Sequence, residues 1–217
     1  MIMNRKLYVY DHCPFCVKAR MIFGLKNIPF ELAIFLNDDE ETPIRMVGKK
    51  LVPILEEDGR FMGESMDIVN HIDTLGTPVL TGATRHEITE WIKAANGPCY
   101  KLFLPRAASA PLPEFATTSS RAYFIRKKEE GVGMFATLLA QTPELTAELN
   151  THLAGLANLI QSPDAVNGAL STDDIHLYAL LHSLSLIKGL EYPQTVEAYR
   201  QKMSILSGVP LLDDIAA

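Results

Sequence analysis

Two thiols two residues apart, in Cys13-Pro14-Phe15-Cys16, are the side chains of this chain best placed by type and spacing to do covalent chemistry. They follow a strand-like run, Leu7-Tyr8-Val9-Tyr10, and open an amphipathic stretch. Pro14 suits the first position of a helix, where a missing N–H costs nothing. That places Cys13 at the N-cap and Cys16 one turn in. A thiol at a helix N-terminus faces unpaired N–H groups and the positive end of the helix dipole, both of which favour thiolate. A pKa lowered from about 8.5 to about 5.5 would turn a few per cent of thiolate at neutral pH into nearly all, a bias of roughly 4 kcal/mol. The chemistry expected is attack on disulfides.

Helical spacing separates the roles of the two sulfurs. Cys16, Ala19, Ile22 and Phe23 share one face, the one expected to pack on a sheet. Cys16 is therefore turned inward as the resolving thiol, and Cys13 stays at the exposed tip as nucleophile and leaving group. A structural zinc site would need four ligands. Cys99 is the only other cysteine and no second close Cys/His pair exists, so no metal site is expected. His12 is adjacent, but a continuing strand would aim its side chain away from that of Cys13.

The elements that must hold this motif read clearly. Alternating patterns give a strand at 7–10, a helix at 14–26, a strand at 30–35 and a short helix opened by the acidic run 38–41 and ended by Gly48. A hairpin over 52–56 and 60–62 turns at Asp58-Gly59. Ser65 is expected to cap a helix over 66–75, ended by Gly76. Met1–Asn4 read as a lead-in to the first strand. The sequence divides into an α/β part at 5–76, a linker at 77–83 and an all-helical part at 84–217. In the latter, helices are expected over 85–104, stopped by Pro105, then near 119–128, 132–139, 143–160, 173–188 and 194–206. Ser171 and Asp174 form an Asp variant of the capping box, with Leu170 and Ile175 as a hydrophobic staple.

Composition narrows the function classes. A 217-residue chain with 47% hydrophobic and 21% charged residues reads as an ordinary soluble globular protein. A net charge of −6 argues against nucleic acid and anionic membrane surfaces. Three cysteines fit a reducing compartment. No secretory signal is read, and the longest uncharged run of the C-terminal half, 175–187, is too short for a bilayer span. A cytoplasmic protein is expected.

Several motifs together resemble one family. Residues 8–16, Tyr8 through Cys16, resemble the glutaredoxin active site. Leu51-Val52-Pro53 resembles the loop in which thioredoxin-fold proteins keep a cis proline. Glu64-Ser65-Met66-Asp67-Ile68 resembles the glutathione-site motif of glutathione transferases, and the Ser171–Asp174 box resembles the capping signature of their helical domain. Over nearly its whole length the sequence is similar to the two-domain glutaredoxins. The resemblance implies a thioredoxin-fold N-terminal domain with a glutathione transferase-like all-α C-terminal domain.

It also implies a glutathione-dependent thiol–disulfide oxidoreductase, active through Cys13 and Cys16. Glutathione would be held by Cys13, Phe15, Val52, Pro53, Glu64 and Ser65, with Val52 pairing the cysteinyl unit like an added strand. Ser65 would meet the γ-glutamyl carboxylate at its helix start and Glu64 the ammonium. Glutathione is then co-substrate with no tightly bound cofactor, and NADPH enters only through glutathione reductase. Partners would be glutathione and disulfide-bearing or glutathionylated proteins, acted on by a monomer. Lys18 and Arg20 read as solvated, Cys99 as a small buried hydrophobe, Trp91 as packing, and His71 as needing no catalytic explanation. A conjugating transferase stays open as a rival, although a second thiol at Cys16 favours redox chemistry. A non-catalytic protein of the chloride intracellular channel type also shares the two-domain plan.

Overall fold

A computed structural model describes residues 5–217; the lead-in at Met1–Asn4 lies outside the described residues. Strand β1 (Arg5–Val9) is followed by helix α1 (Pro14–Leu25), β2 (Glu31–Ile34), α2 (Glu41–Val47), β3 (Ile54–Glu57), β4 (Arg60–Met62) and α3 (Ser65–Asp73). The four strands form one mixed sheet in the order β2-β1-β3-β4. β1 runs parallel to β2 with Leu7 beside Leu32, and antiparallel to β3 with Leu7 beside Leu55. Alternation along β1 buries Leu7 and Val9 on one face, which carries α1 and α3. The β3–β4 turn uses positive φ at both Asp58 and Gly59, the twist a two-residue hairpin demands.

Six helices complete the chain: α4 (His86–Ser109), α5 (Thr118–Val132), α6 (Phe135–Ala140), α7 (Thr142–Leu156), α8 (Thr172–Leu184) and α9 (Gln194–Ser207). Pro105 does not stop α4, which runs 24 residues with Pro98 and Pro105 inside it. An interior proline costs about 3 kcal/mol, and here packing offsets it. Ala95, Cys99, Leu102, Phe103 and Ala107 are wholly buried along this helix, against α5, α6, α7 and α8. Trp91 belongs to the same seam, donating its Nε1–H to the His152 carbonyl at 2.7 Å. Other helix ends moved too: α7 stops at Leu156 and α8 at Leu184, each earlier than the hydrophobic pattern predicts.

The capping box at α8 forms as read. Asp174 Oδ2 accepts from the Ser171 N–H at 2.9 Å and lies 3.3 Å from Ser171 Oγ. Its other oxygen accepts from the Val166 N–H at 2.7 Å and the Tyr199 hydroxyl at 2.9 Å. The box is thus also a buried junction between a loop, α8 and α9.

The helix that carries both thiols lies between the two halves. α1 packs on α3 from one side and on α8 and α9 from the other. For this reason Val17 and Met21 are as fully buried as the predicted face of Cys16, Ala19, Ile22 and Phe23. Gly24 permits the closest approach: a Cβ there would fall 1.7 Å from the Ser207 carbonyl oxygen at the end of α9.

Candidate active site

Cys13 occupies the N-cap of α1 with extended backbone (φ −74°, ψ 119°), and Pro14 fills the first helical position. The Cys13 N–H donates to the Tyr10 carbonyl at 3.2 Å, and its C=O receives the Val17 N–H at 3.0 Å. Cys13 is partly exposed and Cys16 fully buried, both as free thiols. The sulfur of Cys16 accepts the Tyr10 N–H at 3.4 Å.

Electrostatics act in opposite directions on the two thiols. The Cys13 thiol is lowered to about 6. The hydrogen bond from Cys16 is the main cause; burial opposes it, and the His12 charge and the N–H groups of Cys16 and Phe15 reinforce it. Cys16 is pushed far up by burial and by the neighbouring Cys13. Cys99, deep in α4, is raised by burial alone. One thiol of three is therefore a thiolate at neutral pH.

A cavity of about 330 Å³ opens beside Cys13, with Phe15, Leu51 and Val52 on the sheet side. The Val52–Pro53 bond is cis, and among the described residues neither the N–H nor the C=O of Val52 makes a backbone hydrogen bond. Phe15 is half exposed at the rim, with Lys18 Nζ 4.9 Å from its ring centroid. Four residues named from sequence thus gather here: Cys13, Phe15, Val52 and, next to it, Pro53.

Glu64 and Ser65 sit differently from the sequence reading. Glu64, at φ +62°, holds the N-cap position of α3, and Ser65 is the first helical residue. Neither side chain makes a capping bond to α3, and neither borders the 330 Å³ cavity. The Glu64 carboxylate faces Lys49 Nζ at 3.4 Å, while Ser65 is buried.

His12 departs from expectation more sharply. β1 ends at Val9, so His12 lies in a turn and not on a continuing strand. Its ring is buried and its Nδ1 lies 2.5 Å from Glu114 Oε1. His12 and Cys13 line the same cavity. Arg20 is not simply solvated, since its Nη1 donates to Asp11 Oδ1 at 2.9 Å. His71 of α3 pairs with Glu57, the last residue of β3, at 2.7 Å, which is a structural role.

Sequence reasoning missed the cationic wall. Lys50 reaches from the loop before Val52, donates to the Asn37 carbonyl at 2.6 Å and stands 3.6 Å from the centroid of the Tyr123 ring. Burial pulls its ammonium down to about 8, against the pull of Glu40 and Asp38. Lys127 and Lys128 from α5 line the same cavity. Tyr123 donates its hydroxyl to Glu40 across the two halves. The basic run Arg126-Lys127-Lys128 was visible in the sequence, but nothing local told which element it would face. Among the described residues no group of three or more His, Cys, Asp or Glu side chains could hold a metal ion.

Residues 7–77 match the family model for the glutathione S-transferase N-terminal domain, and residues 87–216 that for the glutaredoxin 2 C-terminal domain. Glutaredoxin 2 of Escherichia coli strain K12 is 52% identical over 213 residues, 97% of this chain and 99% of its own length. The crystal structure of glutaredoxin 2 from Salmonella typhimurium in complex with glutathione superposes with a TM-score of 0.97 at 51% identity. It covers 99% of this chain and 100% of that one. A glutathione transferase from Phanerochaete chrysosporium, 14% identical with a TM-score of 0.75 over 95% of this chain and 98% of its own, shares the fold. A paired CPFC motif at a helix tip, the cis-proline loop and a helical second half matched along its length make this chain a member of the glutaredoxin 2 family.

Proposed function

We propose that the chain is a glutathione-dependent thiol–disulfide oxidoreductase in which Cys13 is the nucleophile and Cys16 the resolving thiol. The observation that carries the assignment is the partly exposed Cys13 sulfur at the N-cap of α1, lining the cavity, with the Cys16 thiol buried one turn further in. On a protein–glutathione mixed disulfide, Cys13 thiolate displaces the protein thiolate and becomes glutathionylated. A second glutathione thiolate then attacks that bond, releasing glutathione disulfide and restoring Cys13. On a protein disulfide, Cys13 forms the mixed disulfide and expels one protein thiolate. Cys16 then loses its proton and attacks Cys13, giving a Cys13–Cys16 disulfide and the second protein thiol. Two glutathiones reduce it, and glutathione reductase with NADPH recycles them outside this chain.

Glutathione lies, in this reading, against Cys13, Phe15, Val52 and Pro53, with its γ-glutamyl end toward Glu64 and Ser65. The glutathione complex of the 51%-identical relative supports the ligand. The free polar groups of Val52 support the pairing, because an extended tripeptide can satisfy both like an added strand. The sheet ends at Met62 and every element from α4 onward is helical, which supports domains at 5–76 and 84–217 joined by 77–83. We assign the protein to the cytoplasm as a monomer; no described helix is long and apolar enough to cross a membrane.

Glutathione-coupled reduction of a mixed disulfide, followed through NADPH oxidation by added glutathione reductase, tests the assignment. Turnover that vanishes in Cys13→Ser is expected. Conjugation of a chlorinated nitrobenzene without disulfide reduction would instead mark a transferase.

A further inference from the structure

A single carboxylate of the helical half reaches the residue beside the nucleophile. Glu114 lies in the short 3-10 turn Pro113–Phe115 and is completely buried. Its Oε1 accepts the His12 backbone N–H at 3.0 Å and meets the His12 ring Nδ1 at 2.5 Å. The Glu114 carbonyl accepts the Asn37 N–H at 2.9 Å, docking the same turn on a second loop of the sheet half. Oε2 is buried without a partner among the described residues. Apart from its own backbone N–H, the carboxylate's hydrogen bonding goes to His12.

The ring it holds is boxed on other sides. Tyr10 stacks parallel to it at 5.8 Å, Phe115 lies tilted at 5.1 Å, and Phe124 presents an edge at 5.0 Å. Glu114, Phe115 and Phe124 all come from the helical half, so that half sets the orientation of the imidazole. A buried carboxylate whose partner ring lines the same cavity as the reactive sulfur is a candidate for function.

We propose that Glu114 is a positioning residue: it fixes the His12 imidazole, Nδ1–H toward the carboxylate, so that the ring's positive potential bears on Cys13 and the nucleophile is completed by the helical half. This rests on Cys13 being the nucleophile. Other ionisable groups face the same pair. Cys16, Lys18, Tyr10 and Tyr100 act electrostatically with Cys13, and Asp11 and His182 with His12. The His12 charge lowers the Cys13 thiol, behind the Cys16 hydrogen bond, and Glu114 is held below the usual carboxylate range because the His12 bonds outweigh its burial.

The test is the pH profile of Cys13 alkylation by iodoacetamide in the unmodified protein, Glu114→Gln and His12→Gln, with far-ultraviolet circular dichroism as a check of folding. Both variants should move the midpoint up by about one unit, tenfold in thiolate below it. Folded variants with an unmoved midpoint would overturn the proposal while leaving the nucleophile assignment intact. An unmodified protein with no low midpoint would overturn both. Should neither variant fold, nitrogen-15 NMR of the unmodified protein decides. An Nδ1-bound proton on His12 whose ring signals move as Cys13 titrates supports it, and ring signals indifferent to Cys13 titration overturn it.

Discussion

The Cys16 sulfur accepts the Tyr10 N–H at 3.4 Å, so the inner thiol is tied to the residue that follows β1 while the outer thiol stays at the helix tip. In the proposed reaction this asymmetry would give the two cysteines separable duties. Cys13→Ser should abolish reduction of protein disulfides and of glutathione mixed disulfides alike. Cys16→Ser should lose the former and keep part of the latter, because its hydroxyl cannot resolve a mixed disulfide but can still donate a hydrogen bond to the Cys13 thiolate. Equal loss by both variants on a glutathionylated peptide, assayed by peptide release, would contradict this division.

Reactivity and stability should share one pH window. Cys13 alkylation should rise through pH of about 6 and then level. In the reduced protein, the folded chain has released this proton above about 6, whereas an unfolded thiol holds it to near 9.0. The unfolded state therefore binds more protons between those values, and this contribution to stability grows with pH across that range. It is lost as pH falls through about 6. Denaturant midpoints of the reduced protein at pH 6 and 8.5, compared with Cys13→Ser, should show the slope in the former and a shallower one in the latter.

Lys50 gives a second pH signature. Its ammonium, lowered by burial to about 8, is charged at neutrality and mostly neutral by pH 9. If it meets an anionic group of the ligand, affinity for S-methylglutathione should fall as pH rises through about 8. Loss of one charge-assisted hydrogen bond predicts about a tenfold weakening. Calorimetry on Lys50→Met should show weak binding at pH 7 and a flat profile. A flat profile in the unmodified protein would remove Lys50 from the ligand contacts.

The α8 junction should dominate stability in the helical half. Asp174→Ala strands the buried donors of Val166, Ser171 and Tyr199 at once, a cost of about 3 kcal/mol or more. Ser171→Ala removes only a hydroxyl at the same cap and should cost about 1 kcal/mol. Urea unfolding of both variants checks the ranking, and similar midpoints would refute it.

Local signals carried the sequence reading furthest where local chemistry decides structure. Pro14, Asp58-Gly59, Gly48 and the Ser171–Asp174 box each state their geometry within four residues, and all four elements formed there. Pro105 misled because burial on four neighbouring helices outweighs the missing N–H, and no local pattern reveals those neighbours. At the site, the placement of the two thiols at the helix start was legible for the same local reason, whereas the cis proline was read from the resemblance of Leu51-Val52-Pro53 to the thioredoxin-fold loop. Glu114, Tyr123 and Lys50 were not legible, since His12 and Glu114 are 102 positions apart and Tyr123 meets Glu40 across 83. Glu64 took the N-cap place assigned to Ser65 by adopting a positive φ, which is uncommon for a residue with a side chain.

Where Gly24 meets Ser207, backbone lies against backbone with no room for a single extra carbon. That close approach joins α1 to the end of α9 and so fixes one point of contact between the two halves. Any side chain at position 24 would have to part the two halves along the helix whose tip bears the outer sulfur.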